Sequence, residues 1–252
     1  MPIPSARLAL LNSGQDASSN LAEGLAVDFA VLMAAAVPQA GAAAQAKMRQ
    51  AASWGISKRM ALAGELVLDA VGRQGLKDLA GHQSDTVRGW VCYALAHEHV
   101  LRDSAEPLEN LLESVRFLAD DAHFGVREWV WLAVRPHIAR QPQQAITLLA
   151  GWVADSSEKV RRFASESTRP RGVWCAHMNI LKENPSLGLP VLEPLKADPS
   201  RYVQDSVGNW LNDAAKSQPQ WVCGLCHEWL AKSPCTATEH ICKRARRSLA
   251  GK

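Results

Sequence analysis

Three stretches, Asp121-Ala-His-Phe-Gly-Val126, Asp155-Ser-Ser-Glu-Lys-Val160 and Asp198-Pro-Ser-Arg-Tyr-Val203, share one pattern: an aspartate, four residues, then a valine. A shortened version stands at Asp85 and Val87, and from Val87 onward the valines follow at intervals of 39, 34 and 43 residues. A short pattern recurring near every 40 residues marks stacked helical hairpins, because one hairpin alone cannot bury its apolar face. Each valine opens a run with apolar residues at helical spacing. The runs are Val87, Trp90, Val91, Leu95; Val126, Trp129, Val130, Ala133; Val160, Phe163, Ala164; and Val203, Val207, Trp210, Leu211. These read as the second helices of hairpins, and the apolar stretches 108–118, 145–153 and 189–195 read as the first helices. The aspartate therefore falls in the turn between them, where its carboxylate can cap the next helix.

Working outward, residues 221–230 and 238–249 form a further unit, with Thr238 as a helix cap. Upstream, 20–36 and 56–71 read as helices, and the alanine-rich stretch 34–46, interrupted by Pro38 and Gly41, reads as a loop or a ragged helix. No run shows sustained alternation of apolar and polar residues, so strands are not expected. The fold class that follows is all-α, a right-handed α-solenoid of HEAT-like helical hairpin repeats whose inner face is the expected binding surface. Residues 1–75 are expected to form an N-terminal helical region, continuous with a repeat array over 76–252.

The composition narrows the function. The longest apolar stretch, 29–37, is far short of the roughly 20 residues that span a bilayer, which argues against a membrane protein. The first eleven residues carry Arg7 as their only cation and lack a signal-peptide pattern, so a cytoplasmic location is expected. Six cysteines in a chain of 252 residues, 47% of them hydrophobic, read as free thiols rather than a disulfide framework. Residues 1–125 contain 10 Lys/Arg against 14 Asp/Glu, whereas 126–252 contain 18 against 11. A basic second half suits an anionic partner, although a solvated polar face has the same composition.

The densest polar cluster is Lys159-Val-Arg161-Arg162-Phe-Ala-Ser-Glu166-Ser-Thr-Arg169-Pro170-Arg171-Gly-Val-Trp174. On a helix beginning near Val160, Arg162, Glu166 and Arg169 share one face and Phe163 turns to the core. Pro170 ends or kinks that helix, and Arg171 and Trp174 emerge beyond it. A surface ladder of Glu166 with its two arginines is the plainer reading, but it leaves Trp174 unexplained. Carboxylates beside indoles recur in Arg127-Glu128-Trp129 and Trp210-Leu-Asn-Asp213. If the second helices stack side by side, Glu128, Glu166 and Asp213 converge on one groove. Trp129, Trp131 and Trp210 fit the core pattern, and Trp174 is the candidate exposed platform.

Several of these runs, in order, resemble one known family. They are 119–129, 160–166, Thr168-Arg-Pro-Arg-Gly-Val-Trp-Cys-Ala-His177 and Ser200-Arg-Tyr-Val-Gln-Asp-Ser-Val-Gly-Asn-Trp-Leu-Asn-Asp-Ala214. They are similar to the AlkC branch of the AlkC/AlkD-like DNA alkylation-repair family, over roughly 84–249. The resemblance implies a monofunctional glycosylase that removes N3-alkylated purines, chiefly 3-methyladenine, from duplex DNA. It implies no metal and no nucleotide cofactor. Some members append a C-terminal immunoglobulin-like domain, and none is expected here.

An N3-alkylated adenine is cationic, so its glycosidic bond is already weakened and the base leaves without being protonated. The remaining tasks, stabilising charge on the sugar and positioning water, suit carboxylates. Glu166 and Asp213 are the expected catalytic pair, with Glu128 as a further carboxylate. Trp174 would offer an indole face to the cationic base, helped by Trp129. Lys159, Arg161, Arg162, Arg169 and Arg171 would hold phosphates near the lesion. The expected partner is duplex DNA containing alkylated bases, bound by a monomer without an obligate protein partner.

Other motifs compete with this reading. Cys223-Gly-Leu-Cys226-His227 has the spacing of a haem-attachment motif, and Cys235, His240 and Cys242 extend it to a conceivable zinc set. The first lacks an export signal and the second fits no regular finger. His97, His99, His123 and His177 are scattered. The competing function is a non-catalytic HEAT-repeat adaptor that binds DNA structures or proteins, because fold does not determine function.

Overall fold

In the computed structural model, which describes residues 3–101 and 107–249, the chain is all-helical and no strand occurs among the described residues. It divides into two compact units, 1–134 and 135–252. The first contains α1 (Ser5–Asn12), α2 (Leu21–Ala26), α3 (Phe29–Ala36), α4 (Gly41–Gln50), α5 (Ile56–Ala80), α6 (Asp85–Leu101), α7 (Leu108–Ala119) and most of α8 (Phe124–Arg140). The second contains α9 (Pro142–Ala150), α10 (Glu158–Ser167), α11 (Asn179–Glu183), α12 (Leu189–Leu192), α13 (Arg201–Ala215), α14 (Pro219–Lys232) and α15 (Thr236–Ala245). The division falls inside α8, next to Pro136, a residue that cannot donate the helical N–H.

The hairpin reading holds, and the observed chain is an array of helical hairpins. In the second unit α10 packs on α13 and α13 on α15, while α9 and α12 form the adjoining layer. The burial follows the apolar spacing read from the sequence: Val160, Phe163, Val203, Val207, Trp210 and Leu211 are all buried, with the Phe163 ring 5.2 Å from that of Trp152. In the first unit α5 packs against α6, whose Trp90 meets Phe29 of α3 edge to face at 5.4 Å. Burying an indole removes a large apolar area from water, worth a few kcal/mol per residue.

The repeat aspartates act differently from the expected caps. The carboxylates of Asp121, Asp155 and Asp198 accept the amides two residues on, from His123 at 2.6 Å, Ser157 at 2.8 Å and Ser200 at 2.8 Å. They close the turn, and the residue that caps α10 is Ser157, whose hydroxyl accepts Lys159 N–H at 3.2 Å. Each turn is then tied to a neighbouring repeat by the arginine that follows the repeat valine. Arg88 donates to Asp121 at 2.9 and 3.2 Å and to the carbonyls of His82 and Gln83. Arg161 donates to Asp198 at 2.7 and 3.0 Å and to the carbonyls of Asp155 and Ser156. Such bidentate charged pairs set the spacing between repeats.

Two local readings change and one holds. The stretch 34–46 is neither loop nor ragged helix: α3 ends at Ala36, a 3-10 turn covers Pro38–Ala40, and α4 starts at Gly41. The helix beginning at Ile56 ends at residue 71 as read: Gly72, with φ 59° and ψ −179°, breaks α5 into two helices, the second running to Ala80, and a side chain disfavours that backbone conformation. The last helix starts at Thr236, so Thr238 lies inside it, where its hydroxyl donates to the carbonyl of Lys196 at 2.9 Å. No single helix among the described residues is long and apolar enough to cross a membrane.

Candidate DNA-facing carboxylate cluster

The second unit brings Glu166 and Asp213 together through Arg169. Glu166 lies on the last turn of α10 and Asp213 on the last turns of α13, two helices that pack directly. α10 ends at Ser167, where Thr168 folds its hydroxyl back onto the carbonyl of Ala164 at 3.0 Å. The chain has therefore left the helix before Pro170, and Arg169 swings between the two carboxylates. Its Nη1 donates to Glu166 Oε1 at 2.6 Å, while Nε and Nη2 donate to Asp213 Oδ2 at 2.9 and 2.7 Å. Ser206 Oγ donates to Glu166 Oε2 at 2.7 Å, and Lys216 Nζ to Asp213 Oδ1 at 3.1 Å.

Both carboxylates are only 3% exposed. Burial, the largest effect on Glu166, would raise its proton affinity, but Arg162, Arg169 and the Ser206 hydroxyl outweigh it and hold the group below the usual carboxylate range. Burial likewise opposes the charge on Arg169, and the two carboxylates reverse the effect. Glu166 is thus held as a carboxylate, and Arg169 with Lys216 lies against Asp213 beside it.

Beyond Arg169 the chain forms a loop that exposes Trp174. Its φ is 62°, the one left-handed value among the described non-glycine residues, and the side chain is 47% exposed. A non-glycine residue in that region needs support from its surroundings. Arg135, near the end of α8, provides it. Only 2% exposed, it donates to the carbonyls of Ser167 at 3.0 Å, Arg169 at 2.6 Å and Ala176 at 3.3 Å. Gly172 lets the loop close tightly, since a Cβ there would lie 2.0 Å from Cys175 Sγ. Arg171 fastens the loop to the end of α13, donating to Asp213 O at 3.2 Å and Ser217 Oγ at 2.6 Å.

The other expected site residues have their own places. The Arg162 guanidinium lies 4.4 Å over the Tyr202 ring and 3.6 Å from Glu166 Oε2. Arg161 is engaged by Asp198 and two turn carbonyls, as above, so it serves the repeat rather than an open phosphate seat. Lys159 is half-buried on the first turn of α10. Glu128 and Trp129 belong to the first unit. Glu128 accepts the indole N–H of Trp131 at 2.8 Å, and Trp129 is 7% exposed and packed on Gly89. Trp129 thus lies in the core, without the open face that a helper platform needs. Trp131 and Trp210 are buried as read, the latter donating to Thr168 O at 3.0 Å.

Residues 126–247 match the family described as DNA alkylation repair enzyme. The structure is similar over 98% of this chain, and 65% of the other, to Pseudomonas fluorescens alkylpurine DNA glycosylase AlkC bound to DNA containing an abasic site analog (TM-score 0.71, 25% identity). That segment, 126–247, belongs to the DNA alkylation-repair family, and the fold of the chain is that of AlkC and AlkD2. AlkD2 from Streptococcus mutans shares the fold over 77% of this chain and 90% of its own (TM-score 0.60, 22% identity). An uncharacterized Bacillus subtilis protein, YhaZ, is 37% identical over 137 residues, which are 54% of this chain and 37% of that protein. The chain therefore spans a little over a third of the curated relative and about two thirds of the AlkC chain.

In this AlkC/AlkD-like chain, sequence reasoning missed Arg135 and Ser206. Arg135 sits three residues from the Trp131–Leu132 apolar pair, and an arginine at an apolar helical position is the one signal that pointed to it. Ser206 carries no signal beyond lying one turn before Trp210. The cysteine and histidine set does not gather: Cys226 and Cys242 are buried, with Cys242 Sγ 3.7 Å from Cys226 O, Cys223 is exposed, and His240 meets Asp205 at 2.7 Å.

Proposed function

We propose that this protein is a monofunctional DNA glycosylase that excises cationic N3-alkylated purines, chiefly 3-methyladenine, from duplex DNA. The observation that carries the reading is the pair of buried carboxyl groups, Glu166 and Asp213, held by one arginine beside an exposed indole in the basic half of the chain. The similarity to AlkC supports it.

In this reading the bond between C1′ and the base nitrogen breaks, and its electron pair neutralises the cationic base as it leaves. The sugar acquires oxocarbenium character, which the fixed carboxylates stabilise without reorganising. Water then adds to C1′ and gives its proton to a carboxylate. Trp174 presents its ring to the alkylated base, an attraction of about 0.5–2 kcal/mol according to desolvation. Arg169 has its three donor nitrogens on the carboxylates, which makes it the group that orients them rather than a phosphate contact. Because Glu166 and Asp213 are nearly covered, a sugar reaches them only when the side chains around them, Arg169 and Lys216 among these, shift. Arg162 and Lys159 remain the candidates for flanking phosphates.

The test is to incubate the protein with methylated duplex DNA and follow free 3-methyladenine and 7-methylguanine. Release of 3-methyladenine well above the spontaneous rate supports the reading. Duplex binding with no release above that rate would leave a non-catalytic DNA-binding repeat protein.

A further inference from the structure

The charge of the first 125 residues is unevenly placed. Residues 29–64 contain no Asp or Glu and four cations, Lys47, Arg49, Lys58 and Arg59, whereas the remainder of 1–125 holds six cations against fourteen carboxylates. The four lie at the end of α4 and the start of α5, and Trp54 stands 49% exposed in the turn between these helices. None of this was singled out by the sequence pattern, because the half as a whole is acidic.

Arg49 and Arg59 line one cavity of about 210 Å³, with Phe29 and Met48 among its walls. The Arg59 guanidinium is held 4.9 Å over the Phe29 ring. Its Nε–H is buried and has no acceptor among the described residues. A buried donor in that state is a standing cost that an incoming oxygen removes. Burial also depresses the proton affinity of Arg59, partly opposed by Asp28. Asp28, the one acid at the cavity, has its Oδ1 engaged by the amides of Ala30 and Val31 at 2.9 and 3.1 Å, where it caps α3. Two guanidinium forks, one with a donor to satisfy, suit a ligand that presents several anionic oxygens.

We propose that the Arg49–Arg59 cavity is a second nucleic-acid contact of this protein, a seat for one or two backbone phosphates of a DNA duplex. The inference rests on the reading that the chain binds DNA and adds a site remote in sequence from the Glu166–Asp213 cluster. A lipid surface fits less well, because Phe29, Ala30, Leu32 and Met33 of the adjoining helix are buried, which leaves Val31 and Trp54 as separate exposed apolar side chains rather than a continuous apolar face.

The test uses the full chain, an unmodified duplex, and binding measured across a range of salt. The Arg49→Gln/Arg59→Gln variant is compared with Lys77→Gln/Arg116→Gln, which removes the same charge elsewhere in the same unit. Each phosphate contact adds about 0.9 to the slope of log affinity against log salt. The first variant should lower that slope by nearly two and weaken low-salt binding at least ten-fold, with Arg59→Lys recovering most of it. If the double variant unfolds, exposed Arg49→Gln alone should lower the slope by about one.

A wild-type protein that binds duplex while the double variant binds equally well would overturn the proposal and leave the glycosylase reading standing. Equal losses in both double variants would also overturn it. So would capture of phosphatidylglycerol vesicles that the variant loses while duplex binding is untouched. A wild-type protein with no affinity for duplex would sink both readings together.

Discussion

The two ends of the packed helices α10 and α13 use the same chemistry for different ends. At their N-terminal ends, Arg161 and Asp198 form a bidentate pair that also ties down two turn carbonyls. At their C-terminal ends, Arg169 is divided between Glu166 and Asp213, beside a loop that exposes Trp174. The first pair has one cation and one carboxylate and builds the repeat. The second gathers two buried carboxylates on one arginine, an arrangement that repeat packing alone does not require. An arginine in this fold is therefore defined by its carboxylate partners and by what lies exposed nearby.

The comparison breaks most readily through the carboxylates. Glu166→Gln and Asp213→Asn should each lower single-turnover excision by a factor on the order of 10²–10³, as for loss of one preorganised charge in other enzymes, with duplex binding retained. Excision at the wild-type rate in both variants would return the cluster to a purely structural role. Arg135→Met should come next, destabilising the fold by about 3 kcal/mol in urea because three loop carbonyls lose a buried donor. A change under about 1 kcal/mol would show that the loop carbonyls find other partners.

Arg161→Ala should cost about 2 kcal/mol of stability and leave excision per folded molecule unchanged. A selective loss of excision would erase the distinction between the two helix ends. Trp174→Ala should leave stability within about 0.5 kcal/mol, the usual range for an exposed substitution, and reduce excision by about 1 kcal/mol, or several-fold. The smallest effect concerns acid. Glu166 is held below its ordinary value of 4.5, so it contributes stability above that pH and loses it as pH falls through its lower native value. Glu166→Gln should flatten that part of the stability profile, read as urea midpoints between about pH 5 and 3, whereas Arg161→Ala should not flatten it through Glu166.

Much of the fold was legible because helical burial is a local property. Val160, Phe163, Val203, Val207 and Trp210 face the core at the spacing that α-helices impose, and the recurrence near 40 residues announces the hairpins before any contact is known. Trp174 could be singled out because it falls outside that spacing, and Glu166 and Asp213 because they recur on second helices. The start of α15 was less legible: Thr238 bonds the Lys196 carbonyl rather than its own helix start.

The sequence by itself determined that this is an all-helical repeat protein with a basic second half, and which carboxylates share equivalent places in the repeats. Only the tertiary structure decided how the cations are used. Arg161 and Arg169 stand eight positions apart in one polar run, yet one locks a turn and the other spans two buried carboxylates. Their distant partners, Asp198 and Asp213, lie 37 and 44 residues further along the chain. A charge's partner is set by distance in the folded state, and the order of residues along the chain does not contain that distance. The same holds for Arg135, whose burial beneath carbonyls 32 to 41 residues away makes it a support for the Trp174 loop.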